Sequence, residues 1–361
     1  MKHHYAIAGA GPAGLAAASA LADAGAKVTI YEKSAGSRFS GCYQIIENYR
    51  QNEDARDFLR RMGFTTPSFF IPNHEMTFHT PGGQVKTKSK KPYAYFIKRG
   101  MEEDAFDRSL MQQAQEKGVR ILFNHPSPKE VDIAATGPYG AEGFSMEAVF
   151  DTDQKDGYHT LFNPAIAPGG YGYLFIIKGK ATLGCAVTTG RKNLPHYYKC
   201  VWDYFRENIK FNHQKRIVTT NFMNFYLPKT AQLNGVLYAG EAAGIQDYTF
   251  GIGIRKAMLS GHLAAKSLIE KSDYDTLWKK EIQPGMESDL VNRYLIEKFG
   301  SILWRTLPRT LTNKDLREFG FYLHNPQNVK RLLLPWVKWR WKSKTPRYDP
   351  QRTEWSRKKV E

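Results

Sequence analysis

The start of the chain alternates between short apolar runs and a segment of strong helix formers. Residues 5–8 and 27–31 have the pattern of buried strands, and residues 15–24 between them favour a helix that ends before Gly25. Two strands joined through a helix pair in parallel, because a parallel crossover needs a connection of this length. The pattern therefore predicts a β-α-β unit with a glycine-rich turn at residues 9–14.

Strand and helix patterns continue to alternate along the chain. Helical periodicity favours helices at residues 54–62, 101–117, 197–208 and 254–269. Alternation and aromatic content favour strands at residues 69–95, 119–123, 131–135, 143–190 and 235–239. This order predicts an α/β fold, in which a nucleotide-binding domain made of separated segments carries an inserted antiparallel β-sheet domain.

Composition and charge narrow the class of protein. The 361 residues include 52 Lys and Arg against 35 Asp and Glu, a net charge of +17 that favours anionic partners. Cys42, Cys185 and Cys200 form no CxxC pair, which disfavours a disulfide framework and a thiolate zinc site and fits a reducing compartment. The histidines show no paired spacing, so no metal site is expected.

The N-terminus superficially resembles a secretory signal. Its Ala-rich stretch is interrupted by Gly9, Gly11, Pro12, Gly14 and Asp23, whereas a signal core is continuously apolar. No apolar run approaches the roughly 20 residues that span a bilayer. We therefore expect a mature N-terminus and a cytoplasmic protein.

A dinucleotide-binding motif occupies the predicted first turn. Gly9, Gly11 and Gly14 match GxGxxG, with Pro12 and Ala13 inside the turn, and Glu32 lies at the end of the second predicted strand, followed by Lys33. The first glycine permits the turn, the second admits a pyrophosphate and the third lets helix and strand pack. The pyrophosphate is expected at the helix N-terminus, with the Glu32 carboxylate on the adenosine ribose.

A second glycine-rich junction lies far along the chain and favours FAD over NAD. It comprises Gly240-Glu241-Ala242-Ala243-Gly244 and then Gly251-Ile252-Gly253. An NAD dehydrogenase needs no such late junction, whereas the ribityl chain and ring of FAD extend beyond the first β-α-β unit. A helix starting near Gly253 would direct its positive end at the negative charge that develops on a reduced flavin.

Together these motifs resemble the geranylgeranyl reductase branch of the flavoproteins related to p-hydroxybenzoate hydroxylase. The resemblance covers about residues 1–270 and includes Lys98-Arg99, Ala135-Thr136-Gly137 and a strand that begins Pro168-Gly169-Gly170-Tyr171-Gly172. It implies that FAD is the cofactor and that Arg99, Thr136 and Gly137 join the two glycine junctions in binding it. It also implies a Rossmann-type fold for the nucleotide-binding domain.

The resemblance also sets the expected domain boundaries. The discontinuous FAD-binding domain is expected at residues 1–65, 96–142 and 228–272. The antiparallel β-sheet domain that binds substrate is expected at residues 66–95 and 143–227. The remaining residues, 273–361, are expected to form a helical, basic and Trp-rich C-terminal region.

Departures from the family pattern bear on the chemistry. Glu241 stands where relatives have an Asp that holds the ribityl chain, and Cys42 falls where many relatives carry a cysteine–glycine turn near the flavin ring. Cys42 is therefore a candidate catalytic and cofactor-contacting thiol, or a small residue that fills a turn. The Asp-Gly motif of hydroxylating relatives and the WxWxIP motif of flavin halogenases are both absent, which disfavours those two activities.

The resemblance implies hydride transfer from reduced flavin to a double bond of an apolar isoprenoid or lipid-like substrate. NAD(P)H and ferredoxin remain alternatives as transient electron donor, and an FAD monooxygenase acting on an aromatic or polyketide-like compound is the alternative enzyme. Four aromatic residues are candidates for the substrate pocket, although aromatic strand residues are also common in ordinary cores: Tyr171, Tyr173, Phe175 and Tyr226.

The last part of the chain combines apolar bulk with positive charge. Residues 328–361 carry 11 Lys and Arg against 3 acids, together with Trp336, Trp339, Trp341 and Trp355. Residues 328–344 have the composition of an interfacial segment, so we expect peripheral membrane contact on the inner face, with nucleic acid disfavoured. The sequence leaves the oligomeric state open.

Overall fold

The order of strands and helices is that of an α/β protein with an inserted sheet. The structure, a computed structural model, describes residues 4–50, 52–341, 349 and 351–356. The strands of the described residues are β1 (His4–Ala8), β2 (Lys27–Glu32), β3 (Tyr43–Glu47), β4 (Phe70–Asn73), β5 (Glu75–Thr80), β6 (Gly83–Lys88), β7 (Ala94–Lys98), β8 (Arg120–Phe123), β9 (Ile133–Ala134), β10 (Gly143–Asp151), β11 (Gly157–Leu161), β12 (Tyr171–Ile177), β13 (Lys180–Val187), β14 (Gln214–Met223), β15 (Tyr226–Pro228), β16 (Gln232–Leu233), β17 (Val236–Tyr238) and β18 (Thr353–Ser356).

The helices alternate with these strands in the first two thirds of the chain and dominate the last third. They are α1 (Pro12–Asp23), α2 (Ala55–Arg61), α3 (Phe106–Glu116), α4 (Leu194–Ile209), α5 (Ile254–Glu270), α6 (Tyr274–Glu281), α7 (Gln283–Leu311), α8 (Leu316–His324) and α9 (Asn328–Trp341). None of the helices in the described ranges is both long and apolar enough to cross a bilayer.

The first sheet is the predicted Rossmann-type sheet. Its strand order is β16-β17-β9-β1-β2-β8, and every pair except β16–β17 is parallel. The fold class predicted from the sequence is confirmed. Helix α1 starts at Pro12 rather than at residue 15, because proline is well suited to the first helical position.

The helices α1 and α5 touch backbone to backbone. A Cβ placed on Gly261 of α5 would lie 1.9 Å from the carbonyl oxygen of Ala13 in α1, so only glycine permits this approach. The contact brings the N-terminal ends of both helices to the same edge of the sheet. Both glycine-rich junctions therefore open on one side of the domain.

The second sheet has seven strands and forms a platform beside the first. Its order is β14-β10-β13-β12-β11-β5-β6, and it is antiparallel except between β5 and β11. Helix α4 covers one face of the sheet, where Trp202 and Phe205 are buried. A three-stranded sheet, β3-β7-β4, lies at the junction between the two larger sheets.

The C-terminal region is part of the core rather than a separate tail. Helix α7 packs on β5, β6, α8 and α9. Trp341 of α9 and Trp355 of β18 are buried, and β18 pairs with β15 beside the second glycine-rich junction. The sequence did not predict this returning strand, because its polar sequence has no strand pattern of its own.

Candidate active site: a cavity between two glycine turns

One cavity of about 1020 Å³ runs between the first sheet, the seven-stranded sheet and the helices α7 and α8. Its wall contains almost all residues that the sequence assigns to the cofactor. Those that line it are Gly9, Gly11, Pro12, Ala13, Glu32, Lys33, Arg99, Thr136, Gly137, Gly240, Glu241, Gly251, Ile252 and Gly253.

The three glycines of the first turn have two different roles: Gly9 and Gly14 allow close packing, and Gly11 faces open space. A Cβ on Gly9 would meet the carbonyl oxygen of Ala135 at 2.4 Å, and one on Gly14 would meet the carbonyl oxygen of Gly9 at 2.0 Å. A Cβ on Gly11 would meet nothing within 4 Å, and Gly11 caps α1 without any side-chain hydrogen bond. The space in front of the helix N-terminus is thus kept free, as anion binding there requires.

Glu32 closes one end of this turn. Its Oε2 accepts a hydrogen bond from the Ala10 amide at 2.9 Å, and its Oε1 accepts bonds from the amide (2.9 Å) and hydroxyl (2.6 Å) of Ser34. A carboxylate oxygen has two lone pairs, so the fixed carboxylate can accept further bonds from ribose hydroxyls that enter the cavity.

The second glycine turn presents a carboxyl to the same cavity. Gly240 has φ +59°, a conformation that favours glycine, and a Cβ on Gly253 would overlap the Gln246 side chain. The Gln246 amide donates to Oε1 of Glu241, whereas the buried Oε2 has no hydrogen-bond partner among the residues that the structure describes. Burial raises the pKa of Glu241 to about 7, although Arg38 and the Gln246 hydrogen bond act in the opposite direction.

Arg99 lies on the wall but is already engaged with protein groups. Its guanidinium donates two hydrogen bonds of 2.8 Å to Asp107 and one of 2.7 Å to Gln44. It also lies 4.1 Å from the centre of the Phe39 ring. These contacts fix the segment that leads into β3. Arg99 therefore contributes to the cavity wall by holding Phe39 and Gln44 in place.

A buried ion cluster holds the loop of the second glycine turn. Lys256 of α5 pairs with Asp289 of α7 at 2.8 Å, and His324 of α8 lies 2.8 Å from the same carboxylate. Asp247 accepts the amides of Thr249 and Ile252, which sets the course of the loop into α5.

Burial and neighbouring charges shift the pKa values of the two aspartates of this cluster in opposite directions. Burial disfavours the Asp289 carboxylate, but Lys256 and His324 outweigh burial and lower the pKa of Asp289. Burial and the Asp289 charge raise the pKa of Asp247. Atoms of Asp247, Asp289 and His324 lie within 4.8 Å of one another and could hold a metal ion, yet the Lys256 ammonium already supplies the cation there.

Three of the four predicted substrate-pocket aromatics lie on one face of β12. Tyr171, Tyr173 and Phe175 alternate along the strand and line the cavity. The Tyr171 hydroxyl donates to the carbonyl of Phe250 at 2.7 Å, and the Tyr173 hydroxyl donates to Glu147 at 2.7 Å. Tyr226 is the exception: its hydroxyl donates to the Ala242 carbonyl behind the second glycine turn, and its side chain does not line the cavity.

The structure places Cys42 behind the wall rather than on it. The side chain is 1% exposed and is absent from the cavity lining. Burial and the nearby Glu147 carboxylate raise the pKa of Cys42 well above its usual value, which favours the unreactive thiol. This environment argues for the alternative interpretation of Cys42, a small residue that fills a turn.

The apolar part of the wall comes largely from helices to which the sequence assigned no site residue. The α7 and α8 side chains that contribute are Leu295, Ile296, Leu303, Trp304, Leu307, Leu311, Leu316, Phe319 and Leu323. The i, i+3, i+4 spacing of these residues signals a buried helix face, but that spacing does not tell a cavity from a packed core. Glu47 and His324 also line the cavity and were likewise not predicted.

Comparisons with known proteins agree with this architecture. Residues 7–51 match the family of NAD(P)-binding Rossmann-like domains. An uncharacterised protein of Methanosarcina barkeri is 23% identical in an alignment 326 residues long that covers 82% of this chain and 84% of that protein.

Two solved structures show the same fold over nearly the whole chain. A geranylgeranyl bacteriochlorophyll reductase-like protein from Thermoplasma acidophilum matches with a TM-score of 0.69 and 19% identity, over 94% of this chain and 98% of that one. The flavin-dependent brominase Bmp2 matches with a TM-score of 0.65 and 14% identity, over 93% of this chain and 100% of that one. The chain is thus geranylgeranyl reductase-like in fold, as its motifs predicted.

We predict that Lys256→Met strongly destabilises the protein. The substitution leaves Asp289 and Asp247 buried without their cation, and removing one partner of a buried pair costs about 3–5 kcal/mol. The measurement is the free energy of urea unfolding at neutral pH. The matched control is Lys266→Met on the same helix, whose ion pair with Glu270 is long (3.9 Å) and exposed and should contribute at most about 1 kcal/mol. Equal stability of the two variants would contradict the role of the cluster.

Proposed function

We propose that the protein is an FAD-dependent oxidoreductase that reduces carbon–carbon double bonds of an apolar isoprenoid or lipid-like substrate. The premise is the fold that it shares with geranylgeranyl reductase-like flavoproteins. One observation carries the proposal: a single cavity joins two glycine turns to an aromatic sheet face.

The residues on the wall fit a dinucleotide. Gly11 leaves open space before the N-terminus of α1, Glu32 offers a fixed carboxylate, and the buried Oε2 of Glu241 has no hydrogen-bond partner in the part of the chain that the structure describes. A buried carboxyl oxygen without a partner is costly, so a ligand hydroxyl that bonds to it would be stabilised. These three features are spread along one cavity, which supports a ligand long enough to reach both turns.

Each part of the cofactor has a matching part of the wall. The turn at residues 9–13 and the α1 N-terminus would hold the pyrophosphate, Glu32 the adenosine ribose and Glu241 a hydroxyl of the ribityl chain. FAD, when bound, supplies reversible two-electron hydride chemistry. The N-terminus of α5 favours negative charge nearby through its unpaired amides and dipole.

The remainder of the cavity supports an apolar substrate. Tyr171, Tyr173 and Phe175 form one side, and Trp304 and Leu307 of α7 form the other. Such walls exclude water and orient a chain that has few polar groups. The proposed electron donor is NAD(P)H or ferredoxin. Both are anionic, and the protein's net charge of +17 would attract them.

We predict that the purified protein binds FAD and that Gly11→Val abolishes binding without unfolding the chain. The added side chain enters space that is empty of protein atoms but lies where the pyrophosphate would sit. Added FAD should raise the Tm of the unsubstituted protein, because a ligand that binds only the folded state stabilises it. The variant should keep the cofactor-free Tm and lose the FAD-dependent rise. A colourless protein with no rise in Tm would contradict FAD binding.

We predict double-bond reduction rather than hydroxylation. With flavin reduced anaerobically, geranylgeraniol in detergent micelles should reoxidise the flavin and gain two hydrogen atoms for each bond reduced, as seen by mass spectrometry. A monooxygenase acting on an aromatic or polyketide-like compound would instead consume NADPH and oxygen together and add one oxygen atom. Product mass therefore separates the two functions.

The proposal includes peripheral contact with an anionic bilayer through residues 328–344, of which 342–344 lie outside the described residues. On α9, Leu332 is 80% and Trp339 73% exposed, and Arg331 and Arg340 are exposed beside them. The cavity wall also reaches the surface at Leu303 and Thr306 of α7, next to the exposed Ile302. Apolar and basic groups together favour an anionic lipid surface, from which an apolar substrate could enter.

We predict that the protein co-sediments with vesicles that contain anionic lipid and that Trp339→Ser weakens this binding at least about fivefold. The lost indole removes apolar area that would leave water, worth on the order of 1 kcal/mol or more. Ile217→Ser, at an exposed apolar residue of β14, is the control and should bind normally. Binding that is absent at low salt, or unchanged in Trp339→Ser, would exclude this surface.

A further inference from the structure

Glu47 and Glu241 are the acidic side chains on the cavity wall that have a buried oxygen without a hydrogen-bond partner among the described residues. Glu147 accepts from Tyr173 at 2.7 Å and from Asn221 at 2.6 Å, one bond at each oxygen. Glu32 is likewise bonded at both oxygens, and Glu241 belongs to the second glycine turn. Glu47 is 3% exposed, lines the cavity, and has a buried Oε2 with no hydrogen-bond partner.

Two of the cations near Glu47, Arg255 and Lys256, pair with other carboxylates. Arg255 forms an ion pair with Glu53 at 2.7 Å. Its hydrogen bond to Glu47, at 3.2 Å, goes to the backbone carbonyl and not to the carboxyl group. Lys256 pairs with Asp289 at 2.8 Å. Burial raises the pKa of Glu47, and the opposing effects of Arg255, Lys256 and Arg50 are smaller. Burial therefore disfavours the ionised form of the Glu47 carboxyl relative to the same group in water.

Glu47 lines the cavity that also contains the second glycine turn and the apolar wall. It ends β3, which packs on the first turns of α5. Two residues later, the Tyr49 ring stacks on His324 at 4.5 Å between ring centres, and His324 in turn lies 6.0 Å from Phe250. Phe250 contacts Tyr171 on the aromatic face at 5.8 Å. Glu47 and the residues of this series of ring contacts line the same cavity.

We propose that Glu47 is the catalytic acid that delivers the proton in double-bond reduction, an inference that rests on the proposed function. The π bond of the substrate breaks, one carbon takes a hydride from the reduced flavin, and the other takes the proton of the Glu47 carboxyl. Two C–H bonds form, the flavin is oxidised by two electrons, and the Glu47 O–H bond breaks to leave a carboxylate. Water that enters the cavity then protonates the Glu47 carboxylate again.

The kinetic test compares Glu47→Gln with the unsubstituted holoenzyme in a single turnover. Flavin is reduced anaerobically with dithionite, and its reoxidation by geranylgeraniol is followed by absorbance. The variant should reoxidise at least about 100-fold more slowly, because general acid catalysis contributes about 10²- to 10⁴-fold. Reduction by dithionite should be unchanged. The matched control is Glu75→Gln, at a partly exposed carboxylate of β5 that pairs with Lys86 outside the cavity lining, and it should react normally.

A second measurement uses the cofactor-free protein and needs no activity. An acid whose pKa is raised by folding binds a proton more tightly in the native than in the unfolded chain, so its contribution to stability is lost as pH rises above about 4. The Tm of Glu47→Gln relative to the unsubstituted protein should therefore increase between pH 4 and pH 7. The same difference for Glu75→Gln should not show this increase.

The outcomes separate this inference from the proposed function. If the protein binds FAD and reduces the alkene but Glu47→Gln reoxidises within threefold of the unsubstituted rate, Glu47 is not the acid and the proposed function stands. Parallel Tm profiles would equally overturn the inference, since they would mean an ordinary ionised carboxylate. If no FAD binds or no alkene is reduced, the proposed function itself fails.

Discussion

The backbone contact between α1 and α5 is the constraint on which the rest of the site depends. Gly261 allows α5 to contact the carbonyl of Ala13. Gly9 allows the first turn to contact the carbonyl of Ala135, and Gly14 allows the start of α1 to contact the carbonyl of Gly9. No larger residue fits at these points without moving backbone. Because of this contact, two junctions separated by more than two hundred residues in sequence share one cavity edge. A ligand can then be held at both ends by the starts of two helices.

The ion cluster extends this constraint into the C-terminal helices. Lys256, Asp289 and His324 come from α5, α7 and α8, and Asp247 fixes the loop that leads into α5. The second glycine turn and the apolar wall of the cavity are therefore linked by charge as well as by packing. Buried charges of this kind are costly to separate, which makes the relative position of these helices specific.

The sequence predicted the parts of the site that depend on local geometry. The glycine turns at Gly9 and Gly253 could be assigned because a tight turn before a helix demands particular residues at fixed spacing. Tyr226 was a candidate because it is aromatic, and Cys42 because of the family resemblance, but neither signal shows whether a side chain reaches a cavity or is buried behind its wall. Glu47 was missed for a different reason, since only tertiary packing leaves its carboxyl buried and without a partner.

The short strand β18 has a consequence for how the molecule is made. The Arg352 guanidinium lies 3.8 Å from the centre of the Tyr238 ring and donates to the Ala242 carbonyl at 3.3 Å, and the Lys229 amide donates to the Arg352 carbonyl at 2.7 Å. Arg352 therefore supports a turn that lies about a hundred residues earlier in the chain and is synthesised before it. During translation the first glycine turn can form early, whereas the support of the second glycine turn must wait until residues 352–356 have emerged.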